Sequence, residues 1–385
     1  MRALAVNTGS SSLKLSVLTG NGSVEAATTV ERWAGPGHLE PVQAFLDGVE
    51  RDVGLVDAIG HRVVHGGPGY SGPSRIDAEL IDYLDSIRDL APLHIPRAAA
   101  GIRAVAELLP DTPAVACFDT AFHATLPAEA HMYALPREWN ARWGLRRYGF
   151  HGLSHAHATR RAGELTGAPS ARMVSCHLGA GASLAAVRDG TCRDTTMGFT
   201  PLAGLVMVTR SGDVDPGLLM WLLQHGGVAV AELVEALEHR SGLKGLSGTS
   251  GDLRDVLAAR AVGDSDCALA FDVFIHQLCR EIAAMTAAVG GLDVLAITGG
   301  IGEHAPLVRA EVAARLAYLG VAIDLEANER ADGDADISAA GAAVRTVVVT
   351  AREDLEITRQ VREVLAAAPA EAGRRIARDA ARSRR

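Results

Sequence analysis

A strand, a turn of small polar residues and a return strand occur twice in this chain, 170 residues apart (177 − 7), and this repeat constrains the fold most. Ala3 to Val6 is an apolar run, Asn7-Thr8-Gly9-Ser10-Ser11-Ser12 follows, and Leu13 to Leu18 alternates as a half-buried strand does. Met173 to Cys176, His177 to Ala182 and Ser183 to Val187 repeat the design, superposing His177 on Asn7 and Gly179 on Gly9. One duplication of long period implies two related α/β halves and not a solenoid, which needs many short repeats.

Other elements follow from pattern. Val56 to Val64 is a strand entering Gly66-Gly67, and Val115 to Phe118 a short strand ending at Asp119. Ala78 to Leu90, Ala98 to Leu109 and Ala268 to Val289 have helical periodicity. Val294 to Thr298 is a buried strand leading into Gly299-Gly300-Ile301-Gly302. Val347 to Thr350 is the last strand, followed by a helix from about Leu355 to Ala366. Beyond Pro369 the chain is rich in Ala and Arg with no apolar face, and a frayed tail without function is expected there.

The composition, 48% hydrophobic and 22% charged over 385 residues, is ordinary for two globular domains. No apolar run is long enough for a membrane span, and the start of the chain lacks the features of a signal peptide. Five scattered cysteines, with no C-x-x-C, are expected to be reduced thiols in the cytoplasm. A net charge of −9 offers no basic face to nucleic acid, so anionic substrates must be drawn by local arginines. Only two of the 37 basic residues are lysine, Lys14 and Lys244, both in hydroxyl-rich segments. Chance accounts for them, or a need for a compact ammonium group.

Three turns of small residues follow strands, at 7–12, 179–182 and 299–302. Glycines there let backbone amides approach a phosphate, with Ser10, Ser11, Ser12 and Lys14 adding donors. No P-loop sequence and no G-x-G-x-x-G opening a helix is present. In Gly60 to His65 strand alternation puts Arg62 and Val64 on one face, which suits an anionic head with a short hydrocarbon tail. Thr209-Arg210-Ser211-Gly212-Asp213 is polar within an apolar region, so Arg210 is a second candidate for stabilising phosphoryl charge. His151 and His155 have the spacing of two ligands on a helix, but Gly152 and the absence of H-E-x-x-H disfavour zinc. An imidazole beside a transferred phosphate suits His151 better, and no G-x-S-x-G elbow supports a hydrolase.

Taken together NTGSSSLK, GHRVVHGG, FDTAFH, YGFHGLSH, CHLGAGASL, TMGFTPLAGLVMVTRSGDVDPG, KGLSGTSGDLRDV and TGGIGEH resemble the successive signature blocks of the acetate kinase family. The resemblance implies an α/β fold of two duplicated ribonuclease-H-like, actin-like ATPase domains enclosing a nucleotide cleft. Domains of 1–148 plus 354–385 and of 149–353 are expected. It also implies a homodimer, with ATP or ADP and a short-chain carboxylate as substrates. By the same resemblance Arg62 and Arg210 hold the carboxylate and phosphoryl groups, with Asp119 and His151 catalytic. Val64, Leu93, Phe150 and Pro201 would form the acyl pocket. Asn7 and Glu353 would position Mg²⁺, with Mn²⁺ as a substitute. Nucleotide would meet Ser10, Ser12, Lys14, His177, Leu178, Gly179, Ala180, Gly181, Asp252, Leu253, Arg254, Gly300, Ile301, Gly302, Glu303 and His304.

The implied reaction is in-line attack of a carboxylate oxygen on the γ-phosphorus, which needs no general base. Asp119 is therefore expected to organise arginine or magnesium and not to move a proton. The chain departs from the family pattern at Ala180, Ile95, His304 and Arg352, where asparagine is usual, and at Ala203 in place of glutamate. Propionate kinase is the nearest alternative, since one methylene changes discrimination by only about 1–3 kcal/mol. A catalytically inactive nucleotide-binding regulator is the alternative of a different class.

Overall fold

The computed structural model describes residues 1–9, 12–33 and 38–382, with side chains to residue 367. It divides into two compact units, residues 1–122 with 352–385, and residues 123–351.

The first unit holds strands β1 (Ala3–Thr8), β2 (Ser12–Leu18), β3 (Val24–Glu31), β4 (Ala58–Val63), β5 (Ser74–Arg75) and β6 (Ala114–Phe118) in the order β3-β2-β1-β4-β6-β5. β1, β2 and β3 pair antiparallel, β1, β4 and β6 run parallel, and β5 closes the edge antiparallel to β6. Leu4, Val6, Leu13, Leu15 and Val17 are fully buried against Trp33, Val42, Leu46 and Val105, from the loop after β3 and the helices Glu40–Asp52 and Ile95–Leu108. Ile95, one of the departures from the family pattern, is fully buried beside Val63, Leu80 and Phe118. Gly60 is where the last helix, Glu353–Arg382, meets the sheet: a Cβ there would lie 2.3 Å from Ile357 Cγ2 and 2.7 Å from Val361 Cγ2. That close approach delivers Glu353 to the C-terminal ends of β1, β4 and β6. The helix extends beyond the end near Ala366 read from the sequence, which fits the strong helix propensity of Ala, Glu and Arg.

The second unit repeats this topology. β7 (Arg172–Leu178), β8 (Ala182–Arg188), β9 (Thr191–Thr195), β10 (Val294–Thr298), β11 (Ala335–Asp336) and β12 (Arg345–Val348) are ordered β9-β8-β7-β10-β12-β11. β7, β8 and β9 are antiparallel, β7, β10 and β12 parallel, and β11 antiparallel to β12. Helix Ser265–Val289 packs on β7 and β8 and buries Phe271, Phe274, Ile275 and Leu278. Alternation along β7 turns Ser175 toward His155 of the helix Gly152–Thr166, and its neighbour Cys176 the other way.

Residues 123–148, read from the sequence as part of the first domain, belong to the second unit. His123 Nδ1 lies 3.2 Å from Cys192 Sγ, Arg147 Nη1 donates to the carbonyls of Thr195, Thr196 and Met197, and Tyr133 Oη accepts from the Phe199 amide. These contacts skip the sequence neighbours entirely, so no local signal marked the boundary. The chain returns to the first unit at Arg352, two residues before the expected 354. All five cysteines are buried free thiols, and no described helix is long and apolar enough to cross a membrane.

Candidate active site

In the first unit the C-terminal ends of the parallel strands carry a charged cluster, where open α/β sheets place their ligands. Arg62, at the end of β4, donates from Nε and Nη2 to Asp119, which follows β6, with Nη2 to Oδ2 at 2.7 Å. Its Nη1 donates to Asn7 Oδ1 of β1 at 3.1 Å and lies 3.3 Å from Glu353 Oε2. Asn7 Nδ2 donates to the same Glu353 oxygen at 2.8 Å. Asp119 is 1% exposed and Arg62 17%. Burial disfavours the Arg62 charge, but Asp119 and then Glu353 outweigh it and raise its pKa further. Two carboxylates around one guanidinium leave an excess negative charge, and their oxygens are the hard donors a divalent cation takes. Arg352 is held by Asp354 through two hydrogen bonds of 2.9 Å beside this cluster.

The β1–β2 turn is closed by the Gly9 amide donating to the Ser12 carbonyl at 2.8 Å, and Lys14 is exposed opposite Asn7 in the ladder. Ser10 lies outside the described residues. Lys244 donates to the His239 carbonyl at 3.3 Å.

In the second unit the β7–β8 turn is tightened by the Gly179 amide donating to the Gly181 carbonyl at 3.0 Å. A Cβ at Gly181 would lie 3.3 Å from His151 Nε2 and 3.4 Å from Arg210 Nη1, so these two side chains meet the turn at its second glycine. His151 precedes the helix Gly152–Thr166 with a left-handed backbone, φ 55°, a strained setting of the kind that persists at functional positions. The i,i+4 reading on a helix face fails for that reason. Among the described residues no group of three His, Cys, Asp or Glu side chains could hold a metal.

The polar segment around Arg210 is explained residue by residue. Asp213 Oδ1 accepts from the Gly204 amide at 2.8 Å, and Asp215 caps the helix Pro216–Gln224. Gly212, with φ 69°, has the Leu205 carbonyl oxygen 2.4 Å from where a Cβ would stand. Arg210 is left half-buried, with the Pro201 carbonyl 3.3 Å from Nη1 and no ion pair among the described residues. Burial lowers its pKa, which Glu238 partly offsets. Such a guanidinium invites an anion.

A cavity of about 740 Å³ is lined by Gly179, Ala180, Asp252, Leu253, Arg254, Gly300, Ile301 and His304, which places eight of the sequence-derived nucleotide candidates on one wall. Val208, Ser250, Asp255 and Ala305 complete the lining and were not singled out from the sequence. Asp252 caps the helix Leu253–Ala261 and is held by Arg254, whose hydrogen bonds push its carboxyl down to about 2. Glu303 is turned elsewhere, accepting from the amides of Gly299 and Ala351. Of the proposed acyl pocket, Val64 and Leu93 belong to the first unit and Phe150 and Pro201 to the second. Val64 and Phe150 are buried, and Leu93 is half exposed.

The acetokinase family profile matches residues 29–359. An acetate kinase of Geobacillus kaustophilus is 43% identical, covering 94% of this chain and 98% of that one. The crystal structure of Porphyromonas gingivalis acetate kinase superposes with a TM-score of 0.88 at 35% identity, covering 94% and 99% of the two chains. A propionate kinase from Francisella tularensis gives 0.87 at 33% identity, with the same coverage. With that match over most of its length, its repeated sheets and its charged strand ends, the chain belongs to the acetokinase family.

Proposed function

We propose that this chain is an acetate kinase, catalysing reversible phosphoryl transfer from ATP to acetate by direct in-line attack. The observation that carries the reading is Arg210, half-buried, outside any ion pair of the described residues, and beside the His151 ring at Gly181. Three equatorial phosphoryl oxygens need such fixed positive charge and N–H donors as they transfer. In this reading Arg62 serves the carboxylate, Asp119 holds Arg62, and Val64, Leu93, Phe150 and Pro201 shape the acyl site. ATP or ADP occupies the 740 Å³ cavity through Gly179, Ala180, Asp252 to Arg254, Gly300, Ile301 and His304. His177, Leu178, Gly181, Gly302 and Glu303 support the same loops, and Ser10, Ser12 and Lys14 serve phosphate.

Asn7 and Glu353 would hold Mg²⁺, or Mn²⁺, since that ion is bound by one or two carboxylates together with phosphate and water. Bound there, the ion would offset charge on the phosphate oxygens. A cytoplasmic homodimer is part of the proposal. The helix Pro216–Gln224 supports it, having no buried residue and exposing Leu218, Met220 and Trp221.

The test offers acetate, propionate and butyrate in turn with Mg²⁺ and ATP, trapping acyl phosphate with hydroxylamine. Highest kcat/KM with acetate establishes the reading. Preference for propionate changes the substrate and keeps the mechanism. ATP binding without turnover of any acid overturns it in favour of a nucleotide-binding regulator.

A further inference from the structure

We infer that Ser175, His155 and Ser183 form a buried hydrogen-bond relay that fixes the tautomer of His151, with Nδ1 accepting and the proton on Nε2. The inference rests on His151 acting as a donor to the phosphoryl group. The relay is continuous: Ser175 Oγ lies 2.9 Å from His155 Nδ1, His155 Nε2 lies 2.8 Å from Ser183 Oγ, and Ser183 Oγ lies 2.9 Å from His151 Nδ1. Ser175, His155 and Ser183 are all fully buried.

The direction of each hydrogen follows from one end. Ser175 Oγ has a single hydrogen-bond partner among the described residues, His155 Nδ1. A buried hydroxyl hydrogen without an acceptor is unfavourable, so Ser175 donates to Nδ1. Burial, reinforced by His123 and His177, holds the His155 pKa well below the ordinary histidine value. His155 therefore carries one proton, which stands on Nε2 and is donated to Ser183 Oγ. Ser183 has two partners and has now accepted from one, so its own hydrogen goes to His151 Nδ1. The remaining ring proton of His151 is then on Nε2, the atom facing Gly181 and Arg210. A proton on Nδ1 would confront the Ser183 hydrogen and leave one of the two without an acceptor.

His177 is set in the same way. Ser154 is buried and its Oγ has one partner among the described residues, His177 Nδ1 at 2.7 Å. Its hydrogen goes there, and His177 Nε2 lies 3.5 Å from where a Cβ of Gly179 would stand. The two rings are 4.4 Å apart, so two cationic imidazoles would repel each other. Among the described residues, His177 and Arg210 face His151 at the turn, and His155 faces it through Ser183. The β7–β8 turn is thus flanked by two neutral N–H donors, an arrangement suited to phosphoryl oxygens and available without prior protonation. Ser175, His155 and Ser183 are positioning residues.

Neutron diffraction from deuterated crystals near neutral pH tests the relay directly. Deuterium is expected on His155 Nε2 and His151 Nε2, with the Ser183 deuteron toward His151 Nδ1. Deuterium on His151 Nδ1 overturns the inference. In solution, ¹⁵N-histidine spectra of Ser183→Ala should show His151 passing from one tautomer to a mixture, and an unchanged tautomer overturns it equally. Kinetically Ser183→Ala should lower kcat about 10-fold or more with little change in KM, as loss of a ring-orienting partner does. A fall confined to KM would contradict the assignment. The neutron result does not depend on turnover: an inactive protein with its deuterium on Nε2 keeps the relay and removes the proposed activity.

Discussion

Replacing Asp119 by asparagine separates the two roles a buried carboxylate could have at this site. The substitution keeps shape but turns an amide hydrogen toward guanidinium donors that Asp119 receives at 2.7–3.2 Å. Breaking a buried ion pair by removing one partner costs about 3–5 kcal/mol. Arg62 is 17% exposed and keeps Glu353 at 3.3 Å, so the low end applies, about 3 kcal/mol of stability. An arginine that positions reacting groups is worth about 10³ in rate, so a displaced Arg62 should lower kcat/KM by about 10²–10³-fold, or about 3–4 kcal/mol. Urea unfolding measures the first quantity and the hydroxamate assay with acetate across a pH series measures the second. If Asp119 organises Arg62, activity falls by a similar factor at every pH. Near-full activity in the variant would sink the organising role. Loss of one limb of the pH profile would show that Asp119 moves a proton after all.

Four further outcomes follow from the same geometry. Arg210→Ala should lower kcat about 10³-fold with the unfolding midpoint nearly unchanged, because no ion pair among the described residues is broken; a large stability loss would contradict its assignment as a free anion-binding charge. Gly181→Ala should leave the protein folded but cut kcat/KM at least about 10-fold, since the added methyl lies 3.3 Å from His151 and 3.4 Å from Arg210; unaltered kinetics would place those side chains elsewhere. Gly60→Ala drives a methyl to 2.3 Å from Ile357 and should destabilise by about 1–3 kcal/mol in chemical unfolding, and a neutral result would mean that the last helix is not seated on β4. Burial depresses His61 to about 3 and His65 and His123 to about 4, while the unfolded chain binds their protons near the ordinary value. The unfolded state therefore holds more protons between about pH 6.5 and 4, so urea stability should fall by a few kcal/mol on acidification through that window; a midpoint flat from pH 7 to about 5 would refute the buried neutral histidines.

Much of the scaffold was legible because local pattern and duplication report on it. The hairpins at 3–18 and 172–188 have alternating apolar residues and small-residue turns, and β10 is a continuous apolar run. The repeat even predicts which positions correspond. The ladders pair Val6 with His61 and Cys176 with Ile297, so Asn7, Arg62 and Asp119 have His177, Thr298 and Ala351 as counterparts. One scaffold thus carries an arginine and a carboxylate in one unit and a histidine, a hydroxyl and a methyl in the other, a difference that periodicity does not report. The segment 123–148 was misplaced because its ties to Cys192, Thr195 and Phe199 are long-range.

By itself the sequence determined the paired strand–turn–strand halves, the candidate side chains and the family whose motifs they match. Those depend on residues close together in the chain, where side-chain period and turn chemistry act. Only the tertiary structure decided what each candidate touches. Arg62 meets Asp119 across 57 residues and Asn7 meets Glu353 across 346, because parallel strands and a helix seated at Gly60 bring their ends together. The same holds for the hydroxyls of Ser175 and Ser183, which look like ordinary strand serines until His155 is folded between them. Hydrogen-bond direction belongs to a closed set of neighbours, and that set exists only once the chain has folded.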